Sequence, residues 1–269
     1  MEVEVLVSCM NQKDSSLIEK LNLKTNAVVV NQSDENSYKE INFNNNIVKF
    51  ISSDQRGLTK SRNLALSYAS KDICILCDDD VYYYSDYKET ILKAFEQLPD
   101  ADIIIFDIER INYNGNARPI RKVRKAPSHK SYGSVRIAFR RKSIERNNIW
   151  FDVNFGSGSI FTSGEETILL NKARRKKLKI YEFPSVIAKV DFQASTWREG
   201  FNEKFFYDKG ALLASAYPNL KYMYMFYYIK ALRKSTSLSN IELVRWILKG
   251  MKGFKSLIAF DNFINNNRQ

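Results

Sequence analysis

The sequence predicts an α/β fold in which a mostly parallel β-sheet is flanked by helices, with a helical extension at the C-terminal end. Short apolar runs alternate with amphipathic runs through residues 1–80, a pattern typical of strands that alternate with helices. Polar side chains follow several of the apolar runs directly, as expected where ligands bind beyond the carboxyl ends of parallel strands. An apolar content of 44% in 269 residues also suffices for a large core.

The elements of the first part of the chain follow from the spacing of its apolar residues. Strands are expected at residues 3–8, 27–30 and 47–51, and a fourth starts near residue 72 and ends at an acidic triplet. Helices are expected between them, because apolar residues there recur on one helical face. The residues of the two faces are Leu17, Ile18 and Leu21, then Leu64, Leu66 and Ala69.

The later elements are predicted in the same way. A helix capped by Asp86 and Glu89 closes at Pro99, and strands follow at 101–108 and 134–139. Thr162 or Ser163 is expected to cap a helix that starts with two glutamates. Strands at 179–183 and 186–192 come next, then a loop opened by Ser195-Thr196-Trp197 and a helix at 201–216.

Three carboxylates, Asp78, Asp79 and Asp80, directly follow an apolar run. Adjacent carboxylates repel one another, which raises their pKa values, and a divalent cation that prefers oxygen ligands would relieve the repulsion. On an extended chain the outer two carboxylates point to the same side, so Asp78 and Asp80 are the expected metal ligands. A solvated acidic turn between a strand and a helix is the other interpretation of this triplet.

The net charge of +12 predicts an acidic partner: nucleic acid, an anionic membrane surface or a phosphate-bearing substrate. The cysteines Cys9, Cys74 and Cys77 fall on or beside apolar strands, which indicates a reducing compartment. A single histidine, His129, excludes a structural zinc site. Without a secretory leader or a long apolar stretch, the expected location is the cytoplasm.

Two basic regions each have two interpretations. Residues 110–146, rich in arginine and lysine, form either a solvated face or a flexible loop over a negatively charged substrate. Residues 217–269 form a basic, aromatic helical extension beyond a domain at 1–216. Its helices either pack on that domain or lie on the inner face of an anionic cytoplasmic membrane.

Four motifs in order resemble glycosyltransferase family 2, the inverting GT-A transferases that use nucleotide sugars. The first strand ends near Asn11, residues 56–63 read Arg-Gly-Leu-Thr-Lys-Ser-Arg-Asn, the Asp triplet is an Asp-x-Asp motif, and Gly164-Glu165-Glu166 is similar to a Gly-Glu-Asp motif. The resemblance covers residues 3–207. Ser195-Thr196-Trp197 and the segment at 209–211 resemble bacterial enzymes that make capsular or other surface polysaccharides.

The resemblance implies a GT-A (Rossmann-like) fold with a nucleotide-sugar half at about 1–110 and an acceptor half at 111–216. It implies a nucleoside diphosphate sugar donor, a UDP-sugar first among the candidates, a saccharide or polyprenyl-linked acceptor, and Mn²⁺ or Mg²⁺ held by Asp80 and Asp78. Glu166, or its neighbour Glu165, would be the general base. The nucleotide-sugar contacts would be Ser8, Asn11, Asn31, Asp34, Arg62, Asp78 and Asp79.

Two departures from the family pattern affect these expectations. Asn31-Gln32 stands where many relatives carry paired aspartates after the second strand, which affects recognition of the base. Glu166 stands where aspartate is commoner, which moves the carboxylate about one methylene further out.

Two other functions compete with the transferase. A metal-dependent nucleotidyltransferase would also use Asp-x-Asp at a strand end, but it has no need of the Gly-Glu-Glu segment. A nucleic-acid-binding protein would explain the net charge of +12 and the interleaved aromatic residues. A carboxylate cluster at the centre of the site would repel phosphates, so no nucleic-acid partner is expected.

Overall fold

The structure is a computed structural model that describes residues 1–113, 118–192 and 200–266. The chain divides into two compact units, one of Met1–Phe151 with Lys172–Ala194 and one of Asp152–Asn171 with Ser195–Gln269. The predicted loop at Ser195-Thr196-Trp197 lies outside the described residues.

The first unit contains a ten-stranded sheet in the order β3-β4-β2-β1-β5-β9-β7-β10-β6, with β8 paired to β10. Its strands are β1 Val3–Met10, β2 Asn26–Gln32, β3 Ser37–Phe43, β4 Asn46–Ser53, β5 Ile73–Asp78, β6 Val81–Tyr83, β7 Ile103–Ile111, β8 Arg124–Lys125, β9 Ile137–Arg140 and β10 Ile180–Asp191. The helices of this unit are α1 Leu17–Lys20, α2 Leu58–Tyr68, α3 Tyr87–Gln97 and α4 Arg141–Arg146.

Parallel pairing joins β4, β2, β1 and β5, which is the predicted parallel core of the sheet. These strands are rich in valine and isoleucine, and their side chains are buried on both faces of the sheet. The pairing places Ser8 beside Asp78 and Cys9 beside Asn31. The polar residues that end these strands therefore meet at one edge.

Several elements differ from the sequence prediction. The strand β3 was not predicted, because its side chains are mostly exposed and polar and it pairs antiparallel with β4 as an edge strand. The two strands expected at 179–183 and 186–192 form one strand with irregular register, β10. The capping box at Asp86 is wrong, since its side chain makes no cap hydrogen bond.

Four cations of the basic region 110–146 pair with the buried acids Glu182 and Asp107. Glu182 is 0% exposed and accepts hydrogen bonds from Arg124, Lys130 and Tyr132 at 2.5, 2.6 and 2.8 Å. Asp107 pairs with Arg136 at 3.1 Å. Each acid is compensated by several donors, as burial of a charge requires. Part of the positive charge here consequently has a structural role.

The second unit contains the start of α5 Glu165–Arg175, and the helices α6 Glu203–Ala216, α7 Lys221–Leu232, α8 Asn240–Ser256 and α9 Phe260–Asn266. A Cβ on Gly250 of α8 would lie 1.8 Å from the carbonyl oxygen of Tyr207 in α6, so the two helices touch through backbone. The apolar core of this unit includes Met225, Ile229, Leu243, Trp246 and Ile247.

The predicted boundary at residue 216 does not coincide with the boundary between the units. Gly210 of α6 and Gly250 of α8 permit direct contact of those helices, so α6 joins the C-terminal helices in one core. No helix of the described ranges is long and apolar enough to cross a membrane.

Candidate functional site

Asp78, the last residue of β5, is held by two partners. The Arg62 guanidinium donates to its Oδ1 at 2.9 Å, and the Ser134 hydroxyl donates to its Oδ2 at 2.9 Å. Arg62 is 1% exposed and lies 5.5 Å from the centre of the Phe151 ring. The Asp78 carboxylate is therefore fixed in place by a buried guanidinium and by a hydroxyl group.

Asp79 and Asp80 lie in the turn between β5 and β6, so the strand ends at Asp78, the first residue of the triplet. The argument that Asp78 and Asp80 point to one side because the chain is extended is consequently wrong. Burial, followed by repulsion from Asp78 and Asp79, raises the pKa of Asp80 to about 6. Burial, followed by repulsion from Asp78, also raises the pKa of Asp79.

The carboxylates offer part of a metal site. Across residues 1–113, 118–192 and 200–266, no three His, Cys, Asp or Glu residues are grouped to hold a metal. Mg²⁺ is commonly bound by one or two carboxylates, with phosphate and water completing its octahedron. Asp80, which is exposed and whose pKa is raised by partial desolvation and by repulsion from Asp78 and Asp79, fits that limited role together with Asp78.

Asn31 is buried at the end of β2, and its side-chain amide holds the loop after β1. Its Oδ1 accepts from the Gln12 backbone N–H at 2.9 Å, and its Nδ2 donates to the Gln12 carbonyl at 2.9 Å. The side chain therefore ties the end of β2 to the loop after β1. A contact of Asn31 with the nucleotide stays a prediction.

Arg56 joins three segments at the same edge. Its guanidinium donates to the Asn11 side chain at 3.3 Å, to the Gln32 carbonyl at 2.8 Å and to the Asp34 carboxylate. Sequence reasoning quoted Arg56 only as part of a motif, since nothing local marks it as a bridge. The structure thus brings together Asn11 and Asp34 through Arg56. Ser8 lies in β1 and Arg62 lies in α2. The Ser8 hydroxyl accepts from Ser61 at 3.0 Å.

Ser134 is the residue that sequence reasoning missed most clearly. It was assigned to a strand, whereas it begins a single turn of 3₁₀ helix before β9. The hydrogen bond to Asp78 joins residues 56 positions apart in the chain. No sequence signal of the kind used above marks so distant a partner.

Glu165 and Glu166 lie in the first turn of α5, in the second unit. Glu165 is buried and Glu166 is half-buried. The Gly164 carbonyl accepts the first helical hydrogen bond, from the Ile168 N–H at 3.0 Å. The Thr162 hydroxyl donates to Asp208 at 2.7 Å, and capping of α5 by Thr162 or Ser163 stays a prediction. Negative charge at this end of a helix is favoured by the helix dipole.

The family model described as Glycosyl transferase family 2 matches residues 4–163, more than half of the chain. The chain belongs to this family. It is therefore a glycosyltransferase. No curated protein matches the sequence closely enough to add a relative.

Solved structures of S. aureus TarS are similar to this chain. TarS 1-349 has a TM-score of 0.57 and 14% identity, over 95% of this chain and 72% of that one. The complex of TarS 1-349 with UDP-GlcNAc has a TM-score of 0.59 and 15% identity, over 98% of this chain and 79% of the TarS chain. At such identities the likeness is one of fold, and with the family match it confirms the predicted GT-A fold.

We predict that Asp80→Asn raises the melting temperature of the ligand-free family 2 enzyme at pH 7.5 and leaves it unchanged below about pH 4. The pKa of Asp80 is raised on folding to about 6, so the ionised form is disfavoured in the folded state. The folded protein accordingly loses stability as the pH rises from the pKa of Asp80 in the unfolded state towards its pKa in the folded state. Thermal unfolding across this pH range measures the difference.

The exposed Asp54 provides the control, since Asp54→Asn should leave the melting temperature nearly constant at both pH values. Equal melting temperatures of wild type and Asp80→Asn at pH 7.5 would contradict the claim that the ionised Asp80 carboxylate lowers the stability of the folded protein.

Proposed function

We propose that the protein is an inverting glycosyltransferase that moves a sugar from a nucleoside diphosphate sugar, a UDP-sugar first, to a saccharide or polyprenyl-linked acceptor in surface polysaccharide synthesis. The observation that carries the proposal is the carboxylate edge of β5, where Asp78 is fixed by Arg62 and Ser134 beside the destabilised Asp80. TarS structures with UDP and with UDP-GlcNAc support the choice of a UDP-sugar.

On the donor side, the chain supplies two carboxylates and a set of loops. Asp80 and Asp78 would hold Mn²⁺ or Mg²⁺, which supplies Lewis-acid neutralisation of the leaving diphosphate when bound. Arg62 orients Asp78 through an ion pair of 2.9 Å. Arg56, Asn11 and Asp34 form the polar rim against which the nucleoside would bind, because their side chains are joined at the ends of neighbouring strands.

On the acceptor side, inversion requires one displacement. The acceptor hydroxyl oxygen forms a bond to the anomeric carbon as the bond to the diphosphate oxygen breaks, and a carboxylate takes the hydroxyl proton. We assign that role to Glu166, which is half-buried in the first turn of α5, with Glu165 as the alternative base.

The α7 surface, defined as Tyr222, Met223, Phe226 and Tyr227, supports peripheral contact with the inner face of an anionic membrane. These side chains are exposed, Phe226 to 64%, while Met225 and Ile229 of the same helix are buried. The exposed cations Lys230, Arg233 and Lys234 follow, and residues 221–235 contain no acidic residue. Aromatic side chains beside cations are typical of helices that lie in an anionic interface. A second copy of this surface would bring like charges together.

A nucleotide screen tests the donor side. We expect a UDP-sugar or UDP with Mn²⁺ or Mg²⁺ to raise the melting temperature, because a ligand that binds only the folded state stabilises it. Asp80→Asn should lose most of the metal-dependent part of the shift. If no nucleoside diphosphate, with or without metal, raises the melting temperature, the transferase proposal is wrong for this site.

Glu166→Gln tests the base. We expect kcat for sugar transfer to fall by ~10² or more, the loss typical of a general base, while the KM for the donor stays unchanged. Turnover of the UDP-sugar found in the screen, with water or added saccharide as acceptor, measures both constants. An unchanged kcat would move the role to Glu165 and is checked with Glu165→Gln.

Vesicle sedimentation tests the α7 surface. Replacing both Met223 and Phe226 by serine should weaken binding to phosphatidylglycerol vesicles about tenfold or more, since two apolar side chains no longer enter the interface. Ile47→Ser is the control, because Ile47 is also an exposed apolar residue, 45% exposed, but lies in the first unit. If the double variant binds the vesicles as strongly as wild type, the α7 surface does not contact the membrane.

A further inference from the structure

Asp208, in the middle of α6, holds the turn that precedes the two glutamates. It is 3% exposed. Its Oδ2 accepts from the Thr162 hydroxyl at 2.7 Å and from the Thr162 backbone N–H at 3.2 Å. A carboxylate that accepts two hydrogen bonds from one residue fixes both its backbone and its side chain.

The other oxygen of Asp208 is buried without a hydrogen-bond partner in the described part of the chain. The ammonium group of Lys204, four residues earlier in α6, lies 3.8 Å from Oδ2. Burial is the main cause that raises the pKa of Asp208. A buried, half-satisfied carboxylate costs stability, and a group that served packing alone would be replaced by an apolar side chain at lower cost. A buried oxygen of this kind therefore requires an explanation other than packing.

Leu212, one helical turn further along α6, presses on the same segment. Gly164 has a φ of +108°, and a Cβ there would lie 2.6 Å from Cδ1 of Leu212. Any other residue at 164 would be strained and would displace this contact. The helix α6 thus contacts residues 162 and 164 through Asp208 and Leu212. The Gly164 carbonyl then accepts the first hydrogen bond of α5.

We propose that Asp208 is a positioning residue for catalysis, acting through Thr162 to hold Glu166 at the first turn of α5. The inference rests on the proposed function, because it assumes Glu166 as the proton acceptor. Only Glu165 lies between Gly164 and Glu166, so a rotation of the backbone at Thr162 would displace the Glu166 carboxylate. A displacement near 1 Å of a catalytic group is enough to lower a rate by ~10²-fold.

The test combines variants of Asp208 and Thr162 with Glu166→Gln. Asp208→Ala and Thr162→Val should each lower kcat about tenfold or more in the wild-type protein and leave the KM for the UDP-sugar unchanged. In the Glu166→Gln background the same substitutions should lower kcat no further, since residues that act through one group are not additive. Asp208→Asn should restore most of the activity, because its amide oxygen still accepts from Thr162.

Two controls separate positioning from folding. Glu203→Gln removes a carboxylate from the first turn of α6 and should leave kcat unchanged. Thr162 is exposed, so Thr162→Val is informative even where Asp208→Ala fails to fold.

Equal losses of kcat in the wild-type and Glu166→Gln backgrounds would show a general structural role and overturn the proposal. An unchanged kcat in Thr162→Val and Asp208→Ala would overturn it as well. If Glu166→Gln alone retains full activity, it is the base assignment that fails, and the donor-binding shift shows whether the transferase proposal survives.

Discussion

The buried ion pair between Arg62 and Asp78 is the interaction on which the donor edge depends. It joins α2 to the end of β5, and Ser134 adds a third element from the turn before β9. Asp78 is 23% exposed, so removing the buried arginine would leave a part-buried carboxylate without its charged partner, a destabilising change. One carboxylate is thereby held rigidly, whereas Asp79 and Asp80 lie in a turn and carry the repulsion that a cation would relieve.

A similar use of buried acids explains where the positive charge of the chain goes. Glu182 and Asp107 bind Arg124, Lys130 and Arg136, so these cations order the segment before β9. The cations after α7 are exposed beside aromatic side chains instead. Net charge alone therefore does not identify a partner, because paired and exposed cations count equally in the sum but differ in what they can bind.

The parallel core was predictable because buried parallel strands are continuous runs of valine and isoleucine. The edge strand β3 was not, since exposed polar residues there form a strand only by pairing with β4. Strand ends also located Asn11, Asn31 and the aspartates correctly on the sheet edge. The partners of these side chains were beyond prediction, because Arg56 reaches Asn11 over 45 positions and Ser134 reaches Asp78 over 56.

The sequence by itself indicated the family, the succession of the parallel strands along the chain and the residue types at their carboxyl ends. These follow from local apolar patterns and short motifs. Only the tertiary structure decided which carboxylate is clamped, that Asn31 holds the loop at Gln12, and that Asp208 grips Thr162. The reason is physical: ionisation and orientation depend on burial and on partners distant in the chain, and neither is encoded in a local window.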